Sequence, residues 1–209
     1  LFKRKEPYVA IVTALGSREG GLTRDELVAA SGLADGGRFG RYLEELEECG
    51  FVRRFQAIGM KTKGAVYQLM DPYTLFYLRF VGGRDSADNR QWTDRLETPE
   101  YYNWAGHAFE HVCLLHVRNI KRALEIGGVR TSEYAWRGTD AQDRKAQIDL
   151  LIDRNDDIID ICEMKYTREA YALSEAEWER IAVRRKALRD STSTRKAIHV
   201  VMITDLPMV

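Results

Sequence analysis

The 209 residues of the chain suffice for one large domain or two smaller ones, each with its own hydrophobic core. With 44% hydrophobic and 31% charged residues, the composition is that of an ordinary soluble globular protein, which argues against intrinsic disorder. Lys plus Arg and Asp plus Glu each number 32, so net charge does not indicate nucleic-acid binding, and such a function must rest on a local site.

The cysteines and the apolar runs indicate where the protein resides. Cys49, Cys113 and Cys162 lack the spacing of a metal site and lie within apolar patterns, which is typical of reduced thiols. No apolar run reaches the roughly 18 residues of a membrane span, and no signal peptide is recognisable. We therefore expect a cytoplasmic protein without a membrane partner. Because residue 1 is Leu and a helical pattern begins almost at once, we also expect a longer parent protein.

Three short helices are predicted at the N-terminal end. EPYVAIVTAL has helical apolar spacing after Pro7, and Thr23 with Glu26 forms a capping-box pattern before a helix expected to end at Gly32. The third helix, RFGRYLEELEECG, has an apolar face. Two extended runs follow, FVRRFQAIG and AVYQLMD, joined by the polar turn MKTKG. This order of helices and a β-hairpin predicts a winged helix-turn-helix domain.

A polar, aperiodic segment, RDSADNRQWTDRLETPE, predicts a domain boundary. With the aromatic helix PYTLFYLRFVGG included, we expect a first domain over residues 1–82, a linker over 83–98 and a second domain over 99–209. In the second domain, YYNWAGHAFEHVCLLHVRNIKRAL predicts one long amphipathic helix. The elements expected after it are the strands SEYAWRG, AQIDLLID and DIIDICEMKY, the helix SEAEWERIAVRRKALRDS and the strand KAIHVVMIT. The expected fold class is α+β, with the order αβββαβ in the second domain.

Charged residues interrupt the apolar pattern of two neighbouring strands. Strict alternation with Ile148 and Leu150 predicts that Asp149 projects from the opposite face of its strand, while Glu163 and Lys165 share one parity at the end of the next. One hairpin thus brings together two carboxylates and an ammonium, the composition of a Mg²⁺ or Mn²⁺ site beside a cation. Such an ion polarises a phosphoryl oxygen and activates water, and the lysine steers or deprotonates the water or stabilises developing charge. The pattern predicts phosphodiester hydrolysis.

These residues resemble the PD-(D/E)xK nuclease superfamily, whose members have a restriction-endonuclease-like fold. Thirteen residues separate Asp149 from the Glu163-x-Lys165 pair, although Asp149 lacks the proline that often precedes it in that superfamily. The resemblance implies that Asp149 and Glu163 bind the metal and that Lys165 completes the catalytic set. It also implies that Glu110, in the first core helix, adds an acidic ligand.

The order of the segments along nearly the whole chain is similar to the C-terminal half of the AAA+-type DEXX-box ATPases of bacteria and archaea. DPYTLFYLRFV, YYNWAGHAFEHVCLLH, QIDLLIDR and CEMKY carry this resemblance. It implies an upstream ATPase domain in the same polypeptide. The chain has no G-x-x-x-x-G-K-[ST] pattern, so we expect no ATP site within it.

Basic and polar residues are candidates for contacts with nucleic acid. The acidic C-terminal half of the third predicted helix would repel phosphates. We therefore expect contacts from the start of that helix, from the wing, and from the part of the AQIDLLID strand that precedes Asp149. These candidates are Arg38, Arg41, Arg53, Arg54, Lys61, Lys63 and Gln147. The winged helix would alternatively dock on the ATPase domain, and Gln147 would be a solvent-facing strand residue. The basic run Arg184, Arg185, Lys186 and Arg189 would follow a phosphate backbone or form a solvated helix face.

Two functions are compatible with these patterns. The first is a metal-dependent nuclease domain acting on DNA, or alternatively RNA. The second is a non-catalytic DNA- or protein-binding regulatory module of an ATPase, with a vestigial nuclease site. In the second, Glu110, which is three residues from His107 and adjacent to His111, would be an acidic residue on the helix surface that pairs with a neighbour. The sequence leaves open the strandedness of the substrate and the oligomeric state.

Overall fold

The computed structural model describes residues 5–18, 20–55, 58, 64–82, 93–139 and 144–209. These residues form two compact units that divide between Asn103 and Trp104, and Ile58 belongs with the second unit. Both units mix helices and strands, which confirms the predicted α+β fold class. Lys61 and Lys63, which the sequence predicts to lie in a wing, are outside the described residues, as is the segment 83–92 of the predicted linker.

The first unit contains the predicted short helices and hairpin strands. Its elements, in chain order, are α1 (Glu6–Gly16), β1 (Leu22–Thr23), α2 (Arg24–Ser31), α3 (Gly37–Glu48), β2 (Val52–Phe55), β3 (Val66–Leu69) and α4 (Pro72–Phe76). The strands form an antiparallel sheet of order β1-β3-β2, in which β1 is an addition to the predicted hairpin. A π-helical turn at Tyr77–Val81 continues α4, and Thr93–Arg95 is a short 3-10 helix.

Local capping and an apolar helix face build this unit. Thr23 is the N-cap of α2, and its backbone N–H donates to Glu26 Oε2 at 2.8 Å, which confirms the capping box. The helix ends at Gly32, whose φ of +68° is a left-handed conformation that favours glycine. One face of α3 enters the core through Phe39 and Leu43, as its spacing predicts.

The second unit begins within a helix that is shorter than predicted. α5 (Pro99–Leu115) ends before His116, and α6 (Val117–Ala123) follows. The single long helix predicted here is therefore wrong. At the break, the backbone N–H of His116 is shared between Val112 O at 3.1 Å and Cys113 O at 3.0 Å, and His116 has φ −112° and ψ 24°.

A four-stranded sheet forms the centre of the second unit. Its strands are β4 (Thr131–Thr139), β5 (Lys145–Arg154), β6 (Ile158–Lys165) and β7 (Ala197–Thr204). The order is β4-β5-β6-β7, with β4, β5 and β6 antiparallel and β7 parallel to β6. The helix α7 (Glu175–Thr192) makes the crossover that a parallel pair requires. The predicted strands and helix are thus present in the predicted order.

A β-bulge in β5 changes the faces predicted for its side chains. Tyr134 pairs with Leu151 and Trp136 pairs with Ile148, so two steps along β4 match three along β5. Ile148 consequently packs with Leu151 in the core that α7 covers, whereas Leu150 pairs with Cys162. The strict alternation predicted for this strand is wrong, because the bulge adds one residue beside Asp149.

The helices of the described part do not include one that is both long and apolar enough to cross a membrane.

Candidate functional site

Asp149 and the Glu163-Lys165 pair lie on neighbouring strands near one end of the sheet. Leu150 pairs with Cys162, and the next residues toward that end of the sheet are Asp149 on β5 and Glu163 on β6. β6 lies between β5 and β7, and Glu163 and Lys165 align with Met202 and Thr204 of β7. The central strand therefore supplies the E-x-K pair, and the bulged strand supplies the aspartate.

The carboxyl group of Asp149 lies in a crowded, negatively charged environment. Burial raises its pKa, and the nearby carboxylates of Glu110 and Glu163 raise it further. Gln147 Nε2 donates to Asp149 Oδ1 at 2.5 Å, and Arg184 adds a positive charge, but neither outweighs the burial. Glu110 and Glu163, the other two predicted metal ligands, are thus each within electrostatic reach of Asp149.

Arg184 of α7 is the close cationic partner of Glu163. The Glu163 side chain is only 7% exposed, and Arg184 Nη1 donates to both of its carboxylate oxygens at 2.6 Å. The Arg184 side chain, which is 32% exposed, reaches Glu163 from α7. This arginine satisfies a buried carboxylate that would otherwise carry an uncompensated charge.

Lys165 lies in a small polar cavity beside this pair. The cavity has a volume of about 30 Å³, and its polar lining residues are Glu163, Lys165, Tyr171, Glu177, Arg180 and Arg184. A space of this size holds an ion or a water and is too small for a nucleobase.

Tyr171 is a member of the cavity that the sequence did not reveal. Burial, and then its neighbour Glu177, raises the pKa of Tyr171 to about 12. Its hydroxyl is buried, and the described residues offer it no partner in good hydrogen-bonding geometry. The Tyr171 backbone N–H donates to Pro207 O at 2.9 Å, which fixes the loop after β6. This tyrosine stands in a polar loop without periodicity, so no pattern singled it out.

Glu110 lies close both to His107 and to the acidic cluster. Its Oε2 lies 3.4 Å from Nδ1 of His107, three residues earlier on α5, as in the plain ion-pair interpretation. Its charge also acts on Asp149, as a member of the acidic cluster would. Glu110 is therefore adjacent to the site and partly engaged by its own helix.

The donor chemistry of the cluster fits a hard cation, with one obstacle. Glu110, Asp149 and Glu163 offer oxygen atoms only, which suits Mg²⁺ or Mn²⁺ better than a softer metal. The described residues include no group of three or more His, Cys, Asp or Glu side chains already arranged around a metal position. Arg184 Nη1 contacts both oxygens of Glu163, so this carboxylate must be released before it can bind a cation.

The predicted nucleic-acid contacts are distributed over both units. In the first unit, Arg38 and Arg41 of α3 and Arg54 of β2 are exposed. The guanidinium of Arg53 lies 4.2 Å from the centroid of the Phe55 ring, so it already has a cation–π partner. Gln147, in the second unit, is engaged with Asp149.

The remaining basic residues of α7 differ in their surroundings. Arg185 and Arg189 are exposed, and Lys186 Nζ lies 2.6 Å from Asp190 Oδ2, four residues later. Of this run, only Arg184 turns toward the acidic cluster. The helix period explains the difference, because residues 177, 180, 181 and 184 share the face that borders the cavity.

The molecule is thus an α+β protein with a cluster of carboxylates and basic side chains at the end of its second sheet. No model of a known protein family matches the chain, and no curated protein matches it.

Proposed function

We propose that the second unit is a metal-dependent nucleic-acid phosphodiester hydrolase of the PD-(D/E)xK type. The observation that carries this proposal is the convergence of Asp149 and Glu163, next to Lys165, at one end of two adjacent strands. The β-bulge at Asp149 supports it, because bulges near active sites redirect a side chain. The order of helix, three strands, helix and strand after residue 98 is compatible with that fold.

The residues of the cluster divide the chemistry among them. Asp149 and Glu163 would hold Mg²⁺ or Mn²⁺, with Glu110 adding to the shell, and the ion would supply Lewis acidity and a more acidic bound water. Lys165 stabilises negative charge that develops on the phosphoryl group, or positions the attacking water. Gln147 holds the Asp149 carboxylate through the 2.5 Å hydrogen bond. Tyr171 lines the cavity, and its hydroxyl is buried.

We further propose that the first unit is a winged helix and that the chain is the C-terminal part of a larger ATPase. The three helices and three-stranded antiparallel sheet support the first part. DNA is the partner we favour, with RNA as the alternative and the upstream ATPase domain as a partner within the same polypeptide. The ATPase relationship rests on the resemblance of the sequence segments.

One observation favours a second candidate, a regulatory binding module without catalysis. Arg184 neutralises Glu163 through both carboxylate oxygens, which is how an acidic site that has lost its metal would be stabilised. In that case the cluster is structural, and the exposed arginines of the first unit perform the binding.

Cleavage assays decide between the two candidates. We would incubate the protein with supercoiled plasmid, circular single-stranded DNA and RNA, each with Mg²⁺, Mn²⁺ or a chelator. Lys165→Ala should reduce cleavage by about 10²-fold or more, because a charge-stabilising group in a catalytic site is worth that much. Lys186→Ala is the matched control, since this lysine is 71% exposed and paired with Asp190.

The identity of the cleaving species comes from comparing the variants. Metal-dependent cleavage by the wild type and Lys186→Ala, but not by Lys165→Ala, supports the hydrolase. Equal cleavage by all preparations would indicate a contaminating nuclease. No cleavage of any substrate, together with tight binding of nucleic acid, would support the regulatory module.

A further inference from the structure

The Glu163–Arg184 pair has a geometry that is unusual for a permanent metal site. One guanidinium nitrogen donates to both oxygens of the carboxylate at 2.6 Å. The carboxylate is 7% exposed, so little of its surface remains open to another cation. Arg184 therefore occupies the place on Glu163 that a divalent ion would take.

A divalent cation that binds both oxygens of Glu163 would lie where Arg184 Nη1 now lies. The two positive charges would also repel each other strongly in a partly buried environment where water screens poorly. Arg184 also acts electrostatically on Asp149, the other proposed ligand. Binding of a cation to this pair of carboxylates therefore requires the guanidinium to move away.

Once released from Glu163, Arg184 would lie close to a second anion, a substrate phosphate at the cavity. Its side chain is 32% exposed and borders the cavity that Lys165, Tyr171 and Arg180 also line, together with the carboxylates of Glu163 and Glu177. Released from Glu163, it would remain next to these donor groups, and a guanidinium matches the oxygens of a phosphate group well. The cavity is too small for a base, so the phosphate is the part of a nucleic acid that these groups would meet.

We propose that Arg184 is a positioning residue that exchanges partners. It neutralises Glu163 when no metal is bound and binds a substrate phosphate when the metal takes its place. Metal and nucleic acid then each favour the released state of Arg184, and by linkage each raises the affinity of the other. This inference rests on the proposed function of the same site, and it adds that metal and nucleic acid bind cooperatively.

Binding of Mn²⁺, measured by calorimetry, tests the exchange without any need for cleavage. The probe for the nucleic acid is a nuclease-resistant phosphorothioate oligonucleotide. In the wild type, the oligonucleotide should raise the Mn²⁺ affinity by about tenfold, within the usual range of such couplings. Arg184→Gln should bind Mn²⁺ about tenfold more tightly on its own, and the oligonucleotide should add little. Arg118→Gln, at an exposed arginine of α6 outside the proposed binding residues, should behave as the wild type does.

Two further measurements guard against a folding defect. Arg184→Lys keeps a positive charge, so its Mn²⁺ affinity should lie between those of the wild type and Arg184→Gln. In the unmodified protein, crystals soaked in Mn²⁺ should have Arg184 Nη1 withdrawn from both oxygens of Glu163.

The outcomes separate this inference from the function on which it rests. If Mn²⁺ binds the wild type in a manner that Asp149→Asn abolishes, but Arg184→Gln has unchanged or weaker affinity, the exchange is wrong and the metal site stands. An Arg184 that still contacts Glu163 in the soaked crystals would have the same meaning. If neither the wild type nor Arg184→Gln binds Mn²⁺, with or without the oligonucleotide, the exchange and the proposed metal site fail together.

Discussion

Asp149 is a residue whose charge opposes the stability of its own fold. Burial and two neighbouring carboxylates raise the pKa of Asp149, which means that the charged form is disfavoured in the folded state. Sites that bind a cation commonly keep such a carboxylate at a cost in stability. We therefore expect Asp149→Asn to lose metal binding and to gain stability at neutral pH, on the order of 1 kcal/mol.

The gain depends on pH in a definite direction. A raised folded-state pKa means that the aspartate contributes stability below its ordinary value of 3.8 and loses that contribution as the pH rises through the folded-state value. The melting temperature of Asp149→Asn should therefore exceed that of the wild type near pH 7, with a difference that shrinks as the pH falls toward 4. The side chain of Asn can still accept the Gln147 hydrogen bond, so that interaction is kept. A variant less stable than the wild type near pH 7 would contradict this account.

Only some residues of the site could be predicted from the sequence. Asp149, Glu163 and Lys165 were recognisable because charges interrupt apolar strands, and that signal is local. Arg184 and Tyr171 were not assigned these roles, since only the folded chain brings α7 and the loop after β6 to the same cavity. The sequence of a basic helix face, or of a loop with a single tyrosine, does not indicate which side chains these residues contact in the folded chain.

Among the elements, α2 is a helix whose start is stabilised by a capping box. The Thr23 hydroxyl accepts from the Glu26 backbone N–H, and Glu26 accepts in return from the Thr23 backbone N–H at 2.8 Å. Thr23→Ala should lower the free energy of unfolding of the first unit by about 1 kcal/mol, the usual effect of losing an N-cap. Urea denaturation measures it, with Thr13→Ala, at an exposed position inside α1, as a comparison that leaves the α2 cap intact.

The same cap predicts a loss of stability in acid. The backbone N–H of Thr23 lowers the pKa of Glu26, with smaller contributions from the Thr23 hydroxyl and Arg18. A lowered folded-state pKa means that this stabilisation is present above the ordinary value of 4.5 and disappears as the pH falls through the folded-state value. The difference between the wild type and Glu26→Gln should therefore shrink as the pH falls below about 4. A difference that stays constant would exclude the Glu26 charge as the cause.

Elements with local signals were predictable, and those set by tertiary contacts were not. The capping box and Gly32 fixed both ends of α2, and the apolar spacing fixed α3. In contrast, no Gly or Pro marks the break at His116 or the bulge beside Asp149 in the sequence. The bulge exists only relative to β4, so a single strand read by its own alternation places Ile148 on the wrong face.

At the scale of the whole molecule, the proposed metal site and the proposed DNA-binding arginines belong to different units. The acidic cluster and its cavity lie entirely within the second unit, whereas the exposed arginines of α3 lie in the first. If the first unit is a winged helix that binds DNA, its contribution should be electrostatic and should not depend on the metal. Arg38 and Arg41 lie in the first turns of α3, ahead of the acidic half that would repel phosphates.

Replacing both arginines tests that division. Arg38→Ala combined with Arg41→Ala should weaken DNA binding and reduce the salt dependence of the binding constant by a slope of about 2, one unit for each phosphate that an arginine no longer neutralises. Mn²⁺ affinity should stay at the wild-type value, because the proposed ligands belong to the other unit. Arg79→Ala is the matched control, since this arginine of the first unit lies 3.6 Å from Glu100. Titrations at several salt concentrations measure the slope. An unchanged slope in the double variant would assign the first unit to docking on another protein domain, because an exposed basic surface that binds no phosphate has no effect on counterion release.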